Sequence, residues 1–224
     1  MLIWAIYKNA ACLFIIGAFL YFCSCLIKKQ ERVNKRCESQ MMHNTINSLK
    51  AKSNMSNSSI NELFAHSSLL ELPKKHILTS SFQNDKNFYF IEKGIARSYC
   101  VINDKELTSW FSTEGDIVFS TNNFYGNQQG YEYEVVQLLE NTVLYAVPIK
   151  DLEKLYQTNI EIANWSRILH QEAFIMNEKR LISRLYKSAE ERYIELLQTR
   201  PDLFQRVNLG YIASFLGISQ VTLC

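Results

Sequence analysis

"GYIASFLGISQVTLC", Gly210 to Cys224, is the stretch whose reading decides what kind of chain this is. Leu209, Ile212, Ala213 and Leu216 fall at i, i+3, i+4 and i+7, the spacing of one apolar helix face. Gly217 permits the positive φ that ends such a helix, and Ile218 can then turn back onto the core. Ser219 offers an oxygen to cap a following helix. Small Ala213 lets two helices approach, and together these are the marks of a helix-turn-helix, although two helices packed for stability alone would share the spacing. The second helix has room for about one turn before Cys224, and a single turn is poorly nucleated.

Upstream, "SAEERYIELLQTRPDLF" reads as a helix ending near Pro201. Before it, a longer helical pattern runs from about Glu161 to Tyr186. Ile168, Ile175 and Ile182 recur every seven residues there, as do Ile162, Leu169 and Met176, so two apolar seams lie side by side. A stripe of this kind can pack on its own domain. It is too long for a small β domain to cover, which favours a dimer interface.

From Leu69 to Val147 the pattern changes to short apolar runs broken by turns at Glu92-Lys93-Gly94 and Asn103-Asp104-Lys105. Strands joined so tightly predict an antiparallel sandwich or roll. "VVQLLENTVLYAV" closes it with another hairpin, and beyond Pro148 Asp151 is placed to cap a short helix, "DLEKLYQ".

The 224 residues are 47% hydrophobic with a net charge of +2, but the charge is uneven. Residues 1 to 36 hold six bases (Lys8, Lys28, Lys29, Arg32, Lys35, Arg36) against Glu31, which leaves the remainder acidic. Residues 10 to 27, "AACLFIIGAFLYFCSCLI", carry no charge and are long enough for a candidate transmembrane helix. The basic "KKQERVNKR" after it places the body in the cytoplasm, tethered to the inner membrane as a single-pass protein if Met1 is the start. A start at Met41, Met42 or Met55 would remove the tether. Residues 37 to 60, rich in Ser and Asn, read as a linker. The six cysteines form no C-x-x-C pair, so free thiols are the simplest reading, and neither a metal nor another cofactor is expected.

Several separated stretches resemble the Crp/Fnr family of transcriptional regulators, Bacteroidetes type. They are "FYFIEKGIAR" (88 to 97), "ELTSWF" (106 to 111), "SAEERYIELLQTRPDLFQRV" (188 to 207) and "RVNLGYIASFLGISQVTL" (206 to 223), in the family's order. The match runs from about Ile60 to Cys224. The resemblance implies an α+β chain: an antiparallel β-roll of the cyclic-nucleotide-binding-like jelly-roll kind (61 to 158), a dimerisation helix (159 to 187) and a winged helix-turn-helix (188 to 224). It also implies a homodimer, a small-molecule effector and a palindromic promoter site in DNA.

Two departures stand beside the match. Binders of cyclic nucleotides in this family carry a Gly-Glu pair for the ribose and an Arg for the phosphate. Here Asp116, Ile117 and Val118 follow Gly115, and residues 116 to 134 contain no Lys or Arg but include Glu132 and Glu134. Carboxylates repel a phosphate that needs charge-assisted donors, which argues against cyclic AMP. Phe119, Phe124, Tyr125, Tyr131 and Tyr133 are candidates to line a pocket for a different effector, and core packing accounts for them equally well.

The second departure is in the reader, where relatives continue with another basic turn. Only Ser219, Gln220, Val221 and Thr222 reach base-facing positions here, with Arg206 a candidate for DNA phosphate. From Ser188 onward three arginines face four acids. Because phosphate contacts supply most DNA affinity, weak binding by a C-terminally shortened reader is expected. The alternative is a membrane-tethered sensor or interaction protein whose roll works without DNA. An enzyme is not indicated. The sequence has no Gly-rich phosphate loop, G-x-S-x-G or H-E-x-x-H, and His43, His66, His76 and His170 are scattered.

Overall fold

A computed structural model describes residues 42–80, 85–119, 124 and 134–220. The chain divides into two compact units, Met1–His43 and Asn44–Cys224, and the second carries the elements that follow, save the first residue of α1. Residues 10 to 27 lie outside the described residues. Among the described residues no helix is long and apolar enough to cross a membrane.

Among the described residues eight strands build the roll: β1 (Ser68–Leu72), β2 (Ile77–Ser80), β3 (Asn87–Lys93), β4 (Ala96–Ile102), β5 (Lys105–Ser112), β6 (Ile117–Val118), β7 (Glu134–Leu138) and β8 (Thr142–Pro148). They form two antiparallel four-stranded sheets, ordered β1-β8-β3-β6 and β2-β7-β4-β5. Leu78, Tyr89, Ile91, Ala96, Val118, Val136, Leu138, Leu144 and Ala146 fill the space between them. The β4–β5 hairpin turns through Asn103 and Asp104, with φ of 51° and 59°, the mirror-image turn that matches strand twist. Gly94, at φ 111°, lets β3 pass into β4, and a Cβ there would lie 2.5 Å from the Thr142 hydroxyl.

β3 does not alternate between apolar and polar because both its faces are covered. Tyr89 and Ile91 face the opposite sheet, whereas Phe88 and Phe90 meet helices. Those helices are α2 (Asn57–Leu63), through Phe64 just beyond its end, and α4 (Ile160–Tyr186), through Trp165. Trp165 is 2% exposed, with its ring 5.6 Å from Phe90 and 6.0 Å from Phe88.

The stretch read as a linker contains α1 (His43–Ser53) and α2. The Glu92 carboxylate, buried at the end of β3, accepts from the backbone N–H of Asn44 (2.9 Å) and of Thr45 (3.0 Å) and so caps the first turn of α1. Leu49, Met55 and Ile60 are buried, so a few well-spaced apolar residues tie down a segment whose composition reads as loose.

α3 (Ile149–Thr158) begins at Pro148 with no side-chain cap; Asp151 sits in its first turn and pairs with Lys154 at 3.2 Å. Asn159 caps α4, accepting from Glu161 N (3.0 Å) and Ile162 N (3.2 Å). α4 is ~40 Å long at 1.5 Å per residue, and the roll covers only its beginning. Ile162, Trp165, Ser166 and Leu169 are buried, while Phe174, Met176, Leu181, Ile182, Leu185 and Tyr186 are exposed.

Ser188 and Glu191 form a reciprocal capping box for α5 (Ala189–Thr199). That helix ends just before Pro201, as its sequence predicts, and a separate single-turn α6 (Pro201–Arg206) follows, with Pro201 at the start, where its missing N–H is harmless. α7 (Leu209–Leu216) follows. These three helices share one core with the roll, in which Leu196, Leu203, Val207, Ile212 and Leu216 pack with Ile95, Phe111 and Leu139.

Truncating Trp165 to Ala should cost about 3–5 kcal/mol, because it opens a cavity between sheet and helix. Scanning calorimetry should show a Tm lower by roughly 10 °C. Trp165→Phe should lose less than half of that.

Candidate nucleic-acid interface

α7 is built as its spacing predicts. Asn208 caps it, its Oδ1 accepting from Gly210 N at 2.7 Å. Gly217 takes φ 70°, and Ile218 N donates to Ala213 O at 3.0 Å, so the chain reverses sharply and Ile218 returns against the core. Past the turn Ser219 and Gln220 are exposed, and Gln220 is already helical. The Gln220 Oε1 lies 3.1 Å from the place a Cβ on Gly210 would occupy, so glycine there leaves room for the amide against the start of α7. Val221 and Thr222 lie outside the described residues.

The carbonyl end of α7 is held by three guanidinium groups. Arg180 and Arg184 donate to Phe215 O at 3.1 and 3.0 Å, and Arg192 donates to Leu216 O at 3.2 Å. Cations at a helix C-terminus satisfy orphan carbonyls and oppose the macrodipole. Arg180 also donates to the backbone carbonyls of Ser109 and Thr108 in β5, so one side chain joins α4, β5 and α7. Burial, together with the neighbouring charge of Arg184, lowers the Arg180 pKa to about 10.

Arg206 is placed differently from a free phosphate-binding cation. It forks between two carboxylates of the roll, Glu114 in the turn after β5 and Glu140 in the turn before β8. Nη1 and Nη2 donate to Glu114 at 3.0 and 2.8 Å, and Nε and Nη2 donate to Glu140 at 3.0 and 2.7 Å. Gly94 N adds a bond to Glu114 at 2.8 Å. Burial by itself would raise the Glu114 pKa, but the bonds from Arg206 and from Gly94 overcome it and hold the carboxyl at about 2. The same bonds, those to Glu140 foremost, raise the Arg206 pKa above its ordinary value.

Sequence reasoning passed over Arg97, whose only signal is a base in the otherwise apolar and neutral run "IARSYCVI". It is fully buried, sandwiched between the rings of Tyr99 (4.4 Å) and Tyr211 of α7 (3.8 Å). Its Nε donates to Thr108 Oγ1 at 2.8 Å and its Nη1 pairs with Glu106 at 2.7 Å. Beside it the Ser214 hydroxyl donates to Glu106 O (2.7 Å) and accepts from Thr108 N (3.0 Å). The first helix of the motif is therefore docked on β5 by specific polar contacts as well as by apolar area.

Of the aromatic effector candidates, Phe119 stacks on Phe88 at 5.1 Å. Phe124 lies 5.0 Å from Phe119 and 5.9 Å from the His170 ring of α4. Both belong to the cluster that seats α4 on the roll. Tyr125, Tyr131 and Tyr133 lie outside the described residues.

Because the folded-state pKa of Glu114 is depressed from 4.5 to about 2, its contribution to docking is complete above pH ~4.5 and is lost as pH falls toward 2. Hydrogen exchange followed from pH 6 downward should show α6 and α7 losing protection in that window before β3 and β8 do. Glu114→Gln should flatten this acid-dependent step.

No family model matches the chain, and no curated protein matches it. Solved structures do. A regulator assigned to the Crp/Fnr family from Eubacterium rectale superposes with a TM-score of 0.61 at 13% identity, covering 76% of this chain and 81% of its own. The c-di-GMP-responsive global regulator CLP of Xanthomonas campestris gives 0.60 at 15% identity, covering 75% and 87%. A mutant of CooA from Carboxydothermus hydrogenoformans gives 0.58 at 20% identity, covering 76% and 78%. The α+β architecture of roll, long helix and C-terminal helices found here is the fold of the Crp/Fnr transcriptional regulators.

Proposed function

We propose that the chain is a dimeric, DNA-binding transcriptional regulator of the Crp/Fnr type whose roll senses an effector other than cyclic AMP. The observation that carries this reading is the α7–Gly217–Ser219 turn: a capped helix, a left-handed glycine and an exposed polar start to the next helix, beside a long helix whose later apolar residues are exposed. Such an element presents side chains to a DNA groove, and Ser219, Gln220, Val221 and Thr222 are the candidates to meet base edges. A DNA partner places this body in the cytoplasm.

The half of α4 beyond the roll supports the homodimer. Ile175, Met176 and Ile182, members of the two heptad seams, are 40%, 53% and 47% exposed, whereas Ile162 and Leu169 of the same seam are buried on the roll. Apolar seams at seven-residue spacing bury themselves against a second helix. The effector reading rests on charge. The segment after β6 lacks cations, and Glu134 at the start of β7 accepts from the Ser98 hydroxyl at 3.0 Å, so a carboxylate stands where an anionic ligand would need a base. An effector without a phosphate, received by Phe119, Phe124, Tyr125, Tyr131 and Tyr133, fits this lining. Modest DNA affinity is supported by the arginines of α5 and α6. Arg192 is bonded to carbonyls, Arg200 to Asp202 and Arg206 to Glu114 and Glu140.

Selection from a random duplex library should enrich a palindromic site for this chain, with sedimentation giving a dimer mass. Gln220→Ala should weaken the selected site by roughly 10- to 100-fold, the ~1–3 kcal/mol of a base contact, and leave binding to unrelated duplex unchanged. Ile182→Glu should yield monomers. Enrichment no better than that of a chain lacking residues 209 to 224 would refute the reading.

A further inference from the structure

We propose that the Glu114–Arg206–Glu140 cluster is an internal substitute for a DNA phosphate. The roll holds, with two carboxylates, the cation that the reader uses on the DNA backbone, so docking on the roll and contact with DNA compete for one guanidinium. This rests on the DNA-binding reading above.

Three features of the cluster support exchange of partners over a permanent tie. The first is its chemistry. A guanidinium fork binds paired anionic oxygens, and a phosphodiester offers the same planar bidentate arrangement that each carboxylate provides. Transfer to a phosphate therefore keeps one fork of the guanidinium on a pair of anionic oxygens and turns the other to water. The second is access. The side chains of Arg206, Glu114 and Glu140 are 29%, 28% and 32% exposed, so water reaches all three and opening strands no buried charge. The third is the charge count, two acids to one base. The docked cluster is net negative and repels a duplex, and departure of Arg206 from it turns a repulsive site into an attractive one on the reader.

The cluster is also wired to the sensing side. Glu114 lies in the turn from Thr113 to Asp116, closed by the Asp116 carboxylate accepting from Thr113 N at 2.9 Å. Arg200 at the base of α6 donates to the Thr113 hydroxyl at 3.2 Å. The same turn runs directly into β6 and Phe119, and Glu140 follows β7, at the other end of the segment that holds the effector candidates.

Two measurements on the full chain test this, with Glu114→Gln/Glu140→Gln, which keeps shape and removes charge. In hydrogen exchange without DNA, residues 201 to 216 should exchange several-fold faster in this variant, with β3 and β8 unchanged as the control for folding. In duplex binding, the slope of log affinity against log salt should steepen by ~0.9, one added phosphate contact. Adding Arg206→Gln should remove that increment, whereas Arg206→Gln alone should leave the wild-type slope as it was. Unchanged exchange overturns the proposal. So does a steeper slope that persists in the triple variant, because it would reflect only the loss of two acids. If every protein binds duplex with one slope, the competition fails while DNA binding stands. If none binds duplex, including wild type, the DNA reading fails and the competition fails with it.

Discussion

Burial of β3 on both faces is the constraint on which the other elements depend. A strand that carries Phe88, Tyr89, Phe90 and Ile91 in succession cannot leave either face to water without exposing large rings. One face is covered by the opposite sheet. The other requires a second layer, supplied by Phe64 after α2 and Trp165 near the start of α4. Because Trp165 lies only six residues into α4, that contact fixes the root of the long helix, and Arg180 ties its later part to β5 and α7.

The second organising feature is the use of arginine at the seam between the roll and α5 to α7. Arg97, Arg180 and Arg206 come from a strand, the long helix and the short helix, and each joins elements far apart in the chain. They differ in solvation. Arg97 is sealed between two tyrosines and belongs to the permanent core of the seam, while Arg206 sits at its rim, half in water. A buried ion pair is costly to open because each partner is left uncompensated; a rim pair is cheap to exchange. The buried and the solvated arginine contacts of one interface are therefore separated by depth.

Much of this architecture is legible in the chain. The Leu209–Leu216 helix, the Gly217 reversal, the Asn103-Asp104 hairpin and the helix to Tyr186 all follow from local rules on periodicity, positive φ and turn chemistry, which act within a few residues. The misreadings have a common cause. Residues 37 to 60 look like a linker by composition, yet Glu92, 48 residues away from Asn44, supplies the cap that starts α1. Arg206 looks like a free cation because its carboxylate partners, 66 and 92 residues distant, leave no trace beside it. Of the base-facing candidates, Ser219 and Gln220 fall together at the exposed end of the turn, and of the effector candidates, Phe119 and Phe124 fall together against α4.

The sequence alone determined the strand and helix periods, the places where the backbone must take a left-handed turn, and the surplus of acids over bases from Ser188 onward. These are properties of neighbours, set by side-chain size, branching and charge. Only the tertiary structure decided which carboxylates meet which guanidiniums, which apolar residues of the long helix stay exposed, and that α6 and α7 dock on the roll through Arg97, Ser214 and Arg206. Those outcomes depend on Coulombic and hydrogen-bonding partners brought within 3 Å by the folding of distant segments, and no local pattern encodes such a distance.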